Sequence, residues 1–166
     1  MFQPKPISKA SIPLALAKAE RYRVINDPSS AESICLDILA VEPENQPALV
    51  TLLLSITDQF GESSHEGVRD AKAVLPKLRD GYKQAYYAGI IAERWAKAQV
   101  RKGGLASGEM AYHSFREAME WYEKAESQRP PGNDEAILRW NTCARILAHD
   151  AHLSPRAMES VELGLE

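Results

Sequence analysis

The chain has 166 residues, enough for one domain with a substantial core, and carries a formal net charge of -3 with 45% hydrophobic side chains. That balance offers no general attraction to phosphate backbones or anionic lipid, which disfavours nucleic acid and membrane surfaces as partners. Charged side chains interrupt every apolar run before the ~18 residues that a bilayer-spanning helix needs, and no secretory hydrophobic region precedes Lys18, so a soluble, cytoplasmic chain is expected.

Residues 1–10 read as a flexible N-terminal segment, 11–150 as one helical domain and 151–166 as a C-terminal tail. A first apolar stripe runs through Leu14, Ala15, Ala19, Tyr22 and Ile25. Asp27 and Pro28 then supply an acidic cap and a proline at the first helical position, where its missing N–H costs nothing. From there Ala31, Ile34, Cys35, Ile38 and Leu39 follow helical spacing up to Pro43. Asn45 opens a third helix through Leu49, Leu52, Leu53 and Ile56 to Gly61, and Ser63 with Glu66 forms a capping box for a fourth that Pro76 kinks or ends. A fifth helix, from about Tyr82 to Lys102, carries the small residues Ala85, Ala88, Gly89, Ala92 and Ala96, which let a neighbour approach closely. The sixth spans Ser107 to Gln128, with Tyr112, Phe115, Met119 and Tyr122 on one stripe. Pro130-Pro131-Gly132 ends it, and Asn133 caps a seventh through Ile137, Trp140, Cys143 and Ile146. The tail is expected to regain some helix from Pro155.

Paired helices punctuated by proline prompt a search for self-similarity, because one hairpin cannot bury its apolar face alone. Ala19-x2-Tyr22, followed by Ala31-x3-Cys35-x2-Ile38-x4-Pro43, resembles the tetratricopeptide repeat (TPR) pattern. Ala118-x3-Tyr122-x2-Ala125-x4-Pro130 is similar to its second half, and Ala88-Gly89 fills the leucine-glycine slot of its first half. The resemblance covers about Ile12 to His149; its middle repeat is degenerate, with Leu53 in a small-residue slot. It implies an all-α fold: a right-handed superhelical stack of antiparallel helix pairs, a TPR-like α-solenoid of about seven helices.

The same resemblance implies a function, since members of this family bind proteins in a concave groove lined by the first helix of each pair. Positions sharing a face with the packing residue are then Leu16, Glu20 and Arg23 around Ala19, and Val50, Leu54 and Thr57 around Leu53. Around Gly89 they are Tyr86, Ile90 and Glu93; around Trp140, Ile137 and Asn141. With Val50, Leu54, Tyr86 and Ile90 at the centre, the expected groove is apolar with a charged margin, suited to a peptide or helix of a partner protein. The competing readings are a homodimerising structural unit and a small helical hydrolase or metal-dependent enzyme.

Chemistry-bearing patterns are weak. His149 and His152 lack further ligands, Cys35 and Cys143 lie on apolar helical faces, and Gly103-Gly104-Leu105-Ala106-Ser107-Gly108 follows a helix and lacks the terminal Gly-Lys-Ser/Thr of a phosphate loop. The aromatic residues of the sixth helix are interleaved with Glu109, Glu117, Glu120, Glu123 and Glu126, which fits core packing better than base stacking. No catalytic residue, cofactor or metal is assigned.

Overall fold

A computed structural model describes residues 2–61, 65–104 and 106–155. Among these it contains seven α-helices and no strand: α1 (Ile12–Val24), α2 (Pro28–Val41), α3 (Gln46–Asp58), α4 (His65–Val74), α5 (Gly81–Lys102), α6 (Ser107–Glu126) and α7 (Glu135–His149), with short 3-10 turns at Lys9–Ser11 and Leu75–Lys77. No helix among the described residues is long and apolar enough to cross a membrane.

The helix starts follow side-chain chemistry. Asp27 accepts a hydrogen bond from the Ser30 backbone N–H at 3.2 Å, Asn45 from that of Ala48 at 3.0 Å, and Asp80 from that of Tyr82 at 2.9 Å, each satisfying a donor that has no partner within its helix. Replacing Asn45 with alanine is expected to cost about 1 kcal/mol, read as a lower urea midpoint at unchanged slope. At α7 the expected cap is displaced: Asp134 holds the N-cap position, and the Asn133 side chain accepts from Glu135 N–H at 3.1 Å while also receiving the Tyr82 hydroxyl at 3.3 Å. After α4 the chain tightens into the 3-10 turn around Pro76, since proline removes an N–H that a continuing α-helix would use. Helix α6 ends at Glu126, two residues before the expected Gln128. Gly103 closes α5 at φ +69°, a conformation that penalises a Cβ. The Ser63 half of the expected capping box, and the tail beyond Pro155, lie outside the described residues.

Each helix packs on the next in sequence, and α1 also touches α3 and α3 touches α5. Helix α5 is the keystone of the arrangement because it serves two cores. Ile90, Ala92 and Ala96 join Phe115, Ala118, Met119 and Tyr122 of α6 and Cys143 of α7. Ile91 and Ala98 instead join Cys35, Leu49, Leu53, Phe60 and Leu78 from the first half of the chain. A third cluster, Ile12, Ile38 and Ala48, ties α1 to α2 and α3. Helices α5 and α6 approach closely at Gly89: a Cβ there would penetrate the Tyr122 ring, lying 2.9 Å from Cζ and nearer still to two other ring carbons.

Candidate functional site

Charged side chains of α1, α3, α5 and α7 converge on one surface. Asp58, the last residue of α3, is held from two sides: Arg23 Nε of α1 donates to Oδ2 at 2.8 Å, and Arg94 NH1 of α5 to Oδ1 at 2.6 Å. The same Arg94 nitrogen also donates to Thr57 Oγ1 at 2.6 Å and to the Leu54 carbonyl at 3.1 Å, while the Thr57 hydroxyl donates to that carbonyl at 3.0 Å. Burial pulls the Arg94 guanidinium below its ordinary pKa and Asp58 opposes the shift, so the ion pair keeps a desolvated cation charged.

Immediately before Arg94 stands Glu93, whose side chain is 0% exposed. Its Oε1 accepts from Lys97 Nζ at 2.5 Å and Arg139 NH1 of α7 at 3.3 Å, and its Oε2 accepts the Tyr122 hydroxyl of α6 at 2.6 Å. Three donors from three helices therefore balance one buried charge, as burial of an ion requires. Burial and the adjacent Glu93 carboxylate push the Tyr122 phenol far above its usual pKa, so it remains a donor.

These groups frame two depressions that share Asp58 as a wall. One holds about 290 Å³ and is lined by Thr57, Asp58, Glu93, Arg94, Lys97, Arg101 and Arg139; the other holds about 270 Å³ between Arg23, Val24, Asn26, Pro28 and Asp58.

Structure and sequence expectation differ over what fills this face. Ile90, placed at the groove centre by register, is 2% exposed and belongs to the core, because α5 packs on both of its sides. Thr57 and Glu93 are likewise buried, the first beneath Arg94 and the second beneath Lys97 and Arg139. Val50, Leu54 and Tyr86 are half-buried against the cores; Tyr86 stacks on Tyr82, meets Tyr87 edge-on, and donates to Glu135 at 3.3 Å. Leu16 packs on the third cluster, Glu20 is exposed, and Ile137 and Asn141 are half-buried on α7. Of the eleven, Arg23, Thr57 and Glu93 line the depressions, and Arg23 is the one of these three that keeps solvent access.

Arg94, Lys97, Arg101, Asp58 and Arg139 were not singled out by the sequence. The first three stand at i, i+3 and i+7 of one helix, a stripe that spacing alone reveals; Asp58 and Arg139 join it through contacts between distant segments. Both thiols are buried, and burial raises Cys35 and Cys143 to about 12, leaving them protonated and unreactive. Among the described residues no group of three or more His, Cys, Asp or Glu side chains gathers to hold a metal ion.

Searches against family models, curated proteins and solved structures return no match.

Proposed function

We propose that this chain is a non-catalytic, TPR-like helical repeat module that binds a segment of a partner protein across the face formed by α1, α3, α5 and α7. The supporting observation is the pair of adjoining depressions, whose charged side chains all come from α1, α3, α5 and α7. The guanidinium and ammonium groups of Arg23, Arg94, Lys97 and Arg139 are held by Asp58 and Glu93 yet keep partial solvent access, so these polar atoms are positioned before a ligand arrives. The succession of neighbouring contacts, with α1 on α3 and α3 on α5, supports a solenoid-like stack as the scaffold.

The test is a photo-crosslinking residue placed at Arg101 or Asn26, on this face, and in parallel at Leu36, which is exposed on α2. Cross-links in the source cell are expected from the first two positions and not from the third. Equal or stronger cross-linking from Leu36 refutes the assignment of this face, and a product in which the chain is joined to itself favours the homodimer reading.

A further inference from the structure

We infer that the segment bound on this face is acidic, carrying carboxylate side chains on both sides of a neutral residue. This rests on the reading of the face as a partner-binding surface and adds the chemistry of the partner.

Five cations, Arg23, Arg94, Lys97, Arg101 and Arg139, surround the two depressions, against two carboxylates, Asp58 and Glu93. Each carboxylate is shared between two cations: Asp58 by Arg23 and Arg94, Glu93 by Lys97 and Arg139. One negative charge thus faces two positive ones in each group, leaving each at +1, and Arg101 makes no ion pair among the described residues. The described residues lining the depressions carry a surplus of three positive charges on a chain whose total is -3, so the excess is a local feature set against an acidic remainder. The cations are also poorly placed to satisfy themselves. Arg23 spends its Nε and Arg94 its NH1, and a guanidinium has five N–H donors. Lys97 and Arg139 remain 36% and 37% exposed above the fully buried Glu93. Donors already held in place by Asp58 and by the buried Glu93 lose little further side-chain entropy on meeting an oxyanion, which is how a preorganised site gains affinity.

Carboxylate fits better than a nucleic-acid phosphate. The residues lining the depressions include no aromatic ring on which a base would stack. The net negative remainder of the chain would repel a long polyanion, whereas a short segment meets the cationic face alone. Two depressions divided by Asp58 suit an extended strand, and Asp58 sets the pattern. Its carboxylate repels an acid lying directly over it, while Arg101, Lys97 and Arg139 on one side and Arg23 on the other attract acids there.

Titrating the isotope-labelled full chain at low salt with the capped peptide Glu-Ser-Glu-Ser-Glu, its glutamine analogue and hexauridylate, followed by NMR, tests this. Saturable shifts are expected along α5 from Arg94 to Arg101 and around Arg139 with the acidic peptide. Binding should weaken roughly tenfold or more for the glutamine analogue and for Arg101→Glu, whose side chain is exposed and in no ion pair among the described residues, so that the fold stays intact, as circular dichroism would verify. Arg145→Glu, the same charge change on an exposed residue of α7 outside the depressions, should leave affinity within about twofold. Equal binding of the acidic and glutamine peptides on this face overturns the acidic inference and leaves partner binding standing. Shifts on neither peptide, with cross-links arising from Leu36, overturn both. Hexauridylate binding as tightly as the acidic peptide, or an equal loss with Arg145→Glu, shows general polyanion attraction and refutes the proposal. So does concentration-dependent self-association abolished by Arg101→Glu, since the occupant would then be the acidic surface of a second copy.

Discussion

Glu93→Ala is expected to destabilise the fold by about 3–4 kcal/mol, read by urea denaturation. The cost has two sources that the structure separates. The Tyr122 hydroxyl, on a side chain with no solvent access, loses its acceptor, and an unsatisfied buried donor costs about 1–3 kcal/mol. The space left by the carboxyethyl group adds a cavity between α5, α6 and α7. Lys97 and Arg139 contribute little to the loss, because both are more than one-third exposed and water replaces the carboxylate. Glu93→Gln preserves volume and can still accept from Tyr122, but its amide donors face two cations, so a smaller loss of about 1–3 kcal/mol is expected. Tyr122→Phe alone should cost about 1 kcal/mol. In the Glu93→Ala background it should cost nothing or restore stability, because the orphaned hydroxyl is gone. Additive losses in that cycle would mean that Tyr122 and Glu93 do not interact. A change below about 0.5 kcal/mol for Glu93→Ala would mean that the carboxylate is not buried as described.

The helices were legible because their boundaries are written in local chemistry. Asp27-Pro28, Asn45, Pro76, Gly103 and the Pro130-Pro131-Gly132 run each act on their own or an adjacent turn, so sequence proximity carries the information. The small residues of α5 likewise announced a close neighbour, and Gly89 against Tyr122 is that contact. The charged face was not legible in the same way. Counting from packing residues placed Ile90 on a surface under the assumption that a helix has one buried side. Helix α5 has two, because Ile90 and Ile91 feed separate cores, and this doubles the apolar demand on its sequence. What remains for the surface is the charged stripe of Arg94, Lys97 and Arg101, which reads in isolation as an ordinary solvated face. Its distinction comes from Asp58 and Arg139. Arg23 pairs with Asp58 across 35 residues and Glu93 with Arg139 across 46, and no local pattern links positions so far apart.

Gly89→Leu is expected to cost about 3 kcal/mol, the upper end of the range for overpacking, and to lower the Tm by roughly 6–12 °C for a domain of this size. Even the Cβ alone would lie within the van der Waals boundary of the Tyr122 ring. That ring is fully buried and its hydroxyl is tied to Glu93, so it cannot swing aside without breaking the hydrogen bond that satisfies it. Relief by separating α5 from α6 would open the most extensive helix contact among the described residues. Gly89→Ala poses the sharper question, because two effects oppose each other. Alanine gains about 1 kcal/mol of helix propensity over glycine, while the clash costs about 1–3 kcal/mol. A net loss is expected, since the neighbour is an anchored ring and not the free end of a flexible side chain. Tyr122→Leu supplies the control: it removes the ring and vacates the space, so Gly89→Ala in that background should turn from destabilising to neutral or stabilising. A Gly89→Ala variant that melts higher than the parent with Tyr122 in place would show that α5 and α6 are not in contact at this register.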